Sequence, residues 1–483
     1  MSSLFNNISA SNTLVIGRQS LKKYQQILIP YMLNSIENGE SFVATDPEDI
    51  ILRQLGTKLE ENGYSIISFN LREPQKSNSW NPLYVAYEAY KNRDIELCIH
   101  LLNSVATIIM SDDTTVHSSD PFWELSSIDL FIGLALILFK EAKDINQINM
   151  SSIYYMAQKG FTKLGTSTLL DNYFLEIEDN FDIAKNSLSS ILSAPTDTRG
   201  SILSVFYQKI RAFTIKDMFL KNLCTNDITL EDITKSKTAI IICYEDENSI
   251  HDSLVKIFLR QFFDILIKKR DVLKLNEERY HFIITNFLTV GYFPEIDRFI
   301  SSCNNRHIDV LLDVYSMNAL FKVYGKETTS FIFSQCSIWY ITQMKEVELQ
   351  MQINQLLINS GQEDPKLKSI FNLMPNEIMV IEDGKAPRIE TVEEYHFSET
   401  SFSFQHQTEY DSIGIFKFDD LVKERKRDAF LMSDNQRGIN PNFSGGNLHI
   451  DELIEKIDKK IAELEINKKI EEATKGNDTK KNI

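Results

Sequence analysis

Positive charge is in short supply in this chain. Lysine and arginine total 51 against 68 aspartates and glutamates, so the net charge is 51 − 68 = −17 over 483 residues. A sequence-independent grip on nucleic acid needs a basic surface to displace counterions, so the balance argues against direct nucleic-acid binding outside a local basic patch. Cysteine is scarce as well. The five (Cys98, Cys224, Cys243, Cys303 and Cys336) lie far apart with no Cys-x-x-Cys pair, which points to reduced thiols in a cytosolic protein. The eight histidines show no His-x-x-x-His or Cys/His spacing, so no metal site is expected. No signal peptide is read at the start, where the first eleven residues are polar and have no apolar core. Long apolar runs are missing too. The most apolar stretch, "LFIGLALILF" (Leu130–Phe139), has ten residues, too few to span a bilayer, and reads as a buried core helix.

What is present is ordinary globular material: 43% hydrophobic and 25% charged residues, in a chain long enough for two or three domains. Apolar runs with strand character (Thr13–Ile16, Ser41–Thr45, Tyr64–Leu71) alternate with helical periodicity over residues 1–82. That alternation predicts a mostly parallel sheet covered by helices, an α/β fold. From about Trp80 to Pro195 the strand signal gives way to helical segments. One of them opens at Asp120-Pro121, a capping residue followed by a proline suited to the first helical position. Alternation returns with strands at Thr238–Tyr244, Tyr280–Thr285, Ile308–Val314 and Ser337–Thr342. A hairpin turn near Glu382-Asp383-Gly384 joins "EIMVI" to "RIETVEEY". The organisation read from this is an α/β domain in two parts, 1–82 and 196–400, split by an all-α insertion at 83–195. An extended tail and linker (401–449), an amphipathic helix (450–473) and a disordered end (474–483) follow. The apolar stripe of that helix needs burial and marks a second partner site.

The stretch "NTLVIGRQSLKKYQQ" (Asn12–Gln26) has the outline of a phosphate-binding loop: strand, Gly17, polar turn, lysine, helix. Such a loop converges backbone N–H groups on phosphates, uses glycines to approach closely, extends a lysine to the terminal phosphates and sets a hydroxyl on Mg²⁺. Gly17 and Lys23 stand at the expected places. Lys22 takes the second glycine's position, where a side chain in a left-handed conformation costs about 1–2 kcal/mol. Tyr24 takes that of the metal-binding hydroxyl. Arg18 and Ser20 replace small positions.

The order and spacing of several short pieces resemble one family. They are "TDP" (Thr45–Pro47), "WNPL" (Trp80–Leu83), "DPFW" (Asp120–Trp123), "APTDTRGSI" (Ala194–Ile202), "GYFPEIDRFISSCNNRHIDV" (Gly291–Val310) and "LMPNEIMVIEDGKAPRIE" (Leu373–Glu390). The chain resembles the type IV secretion coupling proteins, the TraG/TraD type of conjugative DNA-transfer ATPase, across roughly residues 12–400. The resemblance implies a RecA-like P-loop NTPase fold with an inserted all-α domain. It also implies membership of a hexamer held at the inner face of the membrane by preceding helices, which this sequence does not show. Membrane association is therefore expected only through a partner, and the protein is expected to be cytoplasmic.

The resemblance also locates further losses. An Asp-Glu pair that would hold Mg²⁺ and polarise water is Thr285-Asn286 here, although Phe287, Gly291 and Pro294 around it persist. A transition-state arginine aligns with Asn304, with Arg306 two residues on, and a sensor glutamine aligns with Tyr315. The lysine expected after Pro47 is Glu48. The chain thus reads as a catalytically degenerate relative with no cofactor required, residual ATP binding left open at Gly17, Lys22 and Lys23, and a docking or accessory role. Its expected partners are other secretion or coupling subunits, a relaxase, or substrate proteins, and oligomerisation is left open. Two alternatives stand beside this reading: an active translocase subunit in a mixed hexamer, and a standalone scaffold. Among other candidates, Asp246 in "EDE" (245–247) reads as a solvated acidic loop, Asp46-Pro47 as a turn, and Phe122-Trp123 as core aromatics.

Overall fold

The computed structural model describes residues 12–110, 121–164, 167–175, 182–214, 221–229, 233, 237–246, 249–270, 278–303, 305–359, 369–398, 402–404 and 413–425. They fall into two compact units, the first ending at Phe418 and the second beginning at Asp419. In the second, residues 419–425 are helical and Lys423 reaches Asp419 at 3.4 Å. The expected amphipathic helix at 450–473 and the end at 474–483 lie outside the described residues.

Among the described residues there are eleven strands: β1 (Thr13–Ile16), β2 (Ser41–Asp46), β3 (Ser65–Asn70), β4 (Lys163–Leu164), β5 (Ser167–Thr168), β6 (Thr238–Cys243), β7 (Tyr280–Ile284), β8 (Ile308–Val314), β9 (Ile338–Ile341), β10 (Glu377–Glu382) and β11 (Arg388–Thr391). Nine of them form one sheet in the order β11-β10-β9-β1-β8-β7-β2-β6-β3. From β9 across to β3 every pairing is parallel, whereas β10 runs antiparallel to both β9 and β11. Strands β1, β2, β6, β7 and β8 are buried along their whole length. Their continuous apolar runs are the signature of a parallel sheet covered on both faces.

One face is covered by the chain from Leu21 to Asn38 and by the Ile51–Glu61 helix, whose Ile27, Leu55 and Leu59 join the core. Residues 395–398 and 402–404 lie over these helices. The Tyr395 N–H donates to the Gln25 carbonyl at 2.9 Å, and the Phe402 N–H to the Arg53 carbonyl at 3.0 Å. Gly56 makes room for this crossing, since a Cβ there would sit 2.1 Å from the Phe402 ring. The other face carries the Ser249–Lys269 helix, whose Phe258 packs on Phe69 and Trp80 while Phe262 and Phe263 pack on Phe282.

Between β3 and β6 run helices Tyr84–Lys91, Ile95–Met110, Phe122–Glu141, Met150–Gly160, Leu169–Leu175, Ile183–Ser193 and Thr196–Ile210. The block is not purely helical, because β4 and β5 pair antiparallel within it. The apolar run at its centre belongs to a helix of 20 residues, twice the length of the run itself. Among the described residues it is the one helix long and apolar enough to cross a membrane by length and composition, and it is largely buried by its neighbours. Gly133 shows the closeness of that packing: a Cβ there would lie 2.4 Å from the Leu188 side chain. Pro121 stands just before its first residue, not at it.

Candidate functional site

The candidate residues gather at the carboxyl ends of β1, β2, β7 and β8, where open α/β sheets place their ligands. Past β1, Gly17 stays tied to the sheet: its N–H donates to the Val314 carbonyl, and the Thr342 N–H donates to the Ile16 carbonyl, both at 3.0 Å. The glycine is needed for closeness, since a Cβ would stand 1.8 Å from the Thr342 hydroxyl oxygen. The helix then begins at Leu21 with Ser20 as its cap.

No residue from Gly17 through Asn38 has positive φ. A concave nest of N–H groups needs alternation of right- and left-handed residues, and this turn has none. The expectation that Lys22 occupies a left-handed position is therefore corrected. It sits in the first helical turn, half-exposed, and pairs with Glu394 at 3.2 Å.

Lys23 points inward and is 2% exposed. Its Nζ donates to the Gly17 carbonyl and to Asp313 Oδ1, each at 2.6 Å. The other oxygen of Asp313 accepts from the Asn286 N–H at 3.2 Å, so both of its oxygens are used. Tyr24, next in the chain, is also buried. Here the helix changes to π geometry over Tyr24–Leu28, with the Ile29 N–H donating to the Tyr24 carbonyl. Pro30 supplies the reason, because it has no N–H to offer the preceding turn. The Tyr24 hydroxyl lies beside the Thr285 hydroxyl at a geometry that falls short of a hydrogen bond. Burial first, and the nearby Asp46 carboxylate second, hold that hydroxyl well above the usual tyrosine range.

Thr285 is fully buried and closed on β2: its hydroxyl donates to the Thr45 carbonyl at 2.6 Å, and the Thr45 hydroxyl donates to the Thr285 carbonyl at 3.1 Å. Asn286 adopts φ +50°, a left-handed conformation that asparagine tolerates better than most residues. Its carbonyl accepts from the Thr289 N–H and hydroxyl, both at 2.8 Å, making the sharp turn after β7. Its side-chain amide is buried with neither polar atom hydrogen-bonded.

Asp46 acts as the turn former expected of it. Both oxygens accept from the start of the next helix, from the Ile50 N–H at 3.0 Å and the Ile51 N–H at 2.8 Å. Burial pushes its carboxyl up to about 7 against the pull of those N–H groups. Arg306 is placed elsewhere, at the opposite end of the strands, where it donates to the Ser302 carbonyl at 2.7 Å. Asn304 lies outside the described residues.

Beyond the strand ends lies an open cavity of about 1140 Å³, bordered by Arg18, Glu48, Asp246, Tyr315 and residues 343–348. Four carboxylates (Glu48, Asp246, Glu346, Glu348) face two cations (Arg18, Lys345) around it. Tyr315 is 43% exposed on its rim. Glu346 has a further role that sequence reasoning missed: it accepts from the Ser316 hydroxyl and from the Met317 and Asn318 N–H groups at 2.7–3.0 Å. A carboxylate of the chain itself thus fills the N-terminus of the Met317–Gln335 helix, the kind of place where a phosphate binds.

A mostly parallel sheet with helices on both faces, and with its candidate residues after β1 and β7, is a RecA-like P-loop NTPase fold. The chain belongs to the family described as type IV secretory system conjugative DNA transfer, whose model matches residues 11–363. Among solved structures it is similar to the bacterial conjugative coupling protein TrwBdeltaN70 in an unbound form, with a TM-score of 0.58 and 12% identity over 82% of this chain and 88% of that one. It is also similar to the plasmid coupling protein TrwB in complex with the non-hydrolysable ATP analogue ADPNP, with a TM-score of 0.56 and 11% identity over 83% and 89% of the two chains. TrwB in complex with ADP and Mg²⁺ gives a TM-score of 0.54 and 13% identity over 82% and 88%. At such identities the likeness is one of fold. No curated protein sequence matches the chain.

Proposed function

We propose that this chain has kept the coupling-protein fold but lost ATP hydrolysis, and that it acts as an accessory or docking subunit of a conjugative type IV secretion system. One observation carries the reading: Lys23, the lysine that would reach a terminal phosphate, is buried against Asp313 and the Gly17 carbonyl. Pulling it out would strand Asp313 in a dry interior, at a cost on the order of 3–5 kcal/mol.

The remaining groups do not fit a magnesium nucleotide. The Thr285 hydroxyl is spent on Thr45, the Tyr24 hydroxyl keeps its proton, and Asn286 offers a neutral amide where a water-polarising carboxylate would be needed. The acidic border of the cavity repels a triphosphate further. A protein of this kind serves by contact. Its proposed partners are an active coupling ATPase, a relaxase or a transferred substrate protein. The helical block at 83–195 and the amphipathic segment at 450–473 are the proposed contact regions, and the protein reaches the inner face of the membrane through a partner.

A second reading has one observation in its favour: TrwB structures of this fold hold ADPNP or ADP with Mg²⁺. On that reading the chain completes a mixed hexamer and neighbours supply the missing groups. A neighbour can lend an arginine, but a hydroxyl in the loop and a carboxylate after β7 have to come from the chain itself.

Phosphate release by the purified chain, alone and mixed with an active coupling ATPase of a conjugative system, tests the proposal. No release by the chain alone, together with co-purification with that ATPase or with a relaxase, is the expected pair of results. Turnover by the chain alone, or failure to associate with either protein, overturns it.

A further inference from the structure

The cavity at the strand ends continues into an unusual helix face. Val347 borders the cavity and is also the first residue of the Val347–Asn359 helix. One turn on is Met351, and further along the same helix is Ile358; the three side chains are 54%, 64% and 71% exposed. The opposite side of the helix, with Leu349, Ile353 and Leu357, is buried, so the helix already has its core contact and presents a second apolar row outward. Tyr315, 43% exposed, borders the same cavity as Val347. Scattered apolar residues on a surface are ordinary, but a row joined to a cavity marks a contact surface.

Charge indicates the occupant. The helix carries Glu348 in its first turn and no lysine or arginine anywhere in its length. Glu48 and Asp246 stand exposed on the cavity border, where with Glu348 they make three carboxylates against the two exposed cations Arg18 and Lys345. A basic amphipathic segment would place apolar side chains on Met351, Ile358 and Tyr315 and its lysines or arginines opposite these carboxylates. The overall charge of −17 would speed its encounter.

We infer that this cavity and the apolar row beside it serve as a docking groove for a basic amphipathic segment of a partner protein. The inference rests on the docking-subunit reading and specifies the partner's chemistry. Nucleic acid would meet these carboxylates with like charge and leave the apolar row wet, and a second copy of this acidic chain would also bring like charge.

The test uses the full chain and a fluorescent helical peptide of leucine and lysine, with a leucine and glutamate peptide of the same pattern as control. Anisotropy is expected to show saturable binding of the lysine peptide only. Binding should weaken about tenfold in Glu48→Lys/Asp246→Lys and about tenfold in Met351→Asp, with circular dichroism unchanged in both. A single-stranded oligonucleotide is the third arm. Equal binding of both peptides, lysine-peptide binding untouched by the variants, or preference for the oligonucleotide would each reject the groove. Those results leave the absence of hydrolysis standing, whereas Mg-ATP competing with the peptide while being turned over would reject both.

Discussion

Lys23 Nζ and Asp313 Oδ1 stand 2.6 Å apart with both side chains almost fully excluded from water, across 290 residues of sequence. The pair joins the first turn after β1 to the end of the central strand β8. It is a structural bond between the start of a helix and the end of a strand. Removing one partner leaves an uncompensated buried charge, so Asp313→Ala should lose about 3–5 kcal/mol of stability. The double change Lys23→Met/Asp313→Leu should come within about 1–2 kcal/mol of the parent, because an apolar pair of similar size replaces a buried ion pair at little net cost. Urea unfolding of the three proteins checks this. An Asp313→Ala protein as stable as the parent would contradict it.

Gly17 gives a separate prediction. Its alanine variant must move Thr342, whose hydroxyl oxygen would be 1.8 Å from the new Cβ. Overpacking of this kind costs about 1–3 kcal/mol. Gly17→Ala should unfold at lower urea than the parent, and Thr342→Gly in the same chain should recover most of the loss. If the cost came instead from a positive φ at Gly17, the second change would recover nothing.

Asp46 makes stability depend on pH. Its folded-state carboxyl titrates near 7, above its ordinary value of 3.8, so the native chain holds this proton more tightly than the unfolded chain does. Its contribution is therefore complete below about pH 4 and is lost as pH rises toward about 7. Asp46→Asn removes the titration. Relative to the parent, the variant should gain on the order of a few kcal/mol between pH 4 and pH 7, read from denaturation midpoints across that range. A constant difference between the two proteins over the window would show that Asp46 does not titrate there.

The strands were legible because each is an apolar run between turn residues. A parallel sheet buried on both faces allows no polar alternation that could blur the pattern, and "TAIIICY" and "IDVLLDV" became β6 and β8 with boundaries shifted by a residue or less. The two-residue strands β4 and β5 are too short for any periodicity to register, so the block around them read as purely helical.

At the site, residue types were legible but conformations were not. Lys22, standing where a phosphate loop has a glycine, suggests a left-handed position, yet the first helical turn gives it an ordinary one. The residue type marks Tyr24 as a poor metal ligand, but nothing in the sequence shows that its ring is buried with the hydroxyl beside Thr285. Asp313 and Glu346 were missed altogether. The available signal was Asp313 itself, a carboxylate inside an apolar central strand, which calls for a buried cation. Its partner could not be named without the fold, because Lys23 reaches it only through the β1–β8 pairing.

The most direct test of the account is calorimetric titration of the purified chain with Mg-ATP. With Lys23 held by Asp313 and the cavity bordered by carboxylates, the titration should show no saturable heat up to millimolar nucleotide, and the result should be the same for Lys23→Ala. Micromolar binding with release of phosphate, both lost in Lys23→Ala, would contradict it.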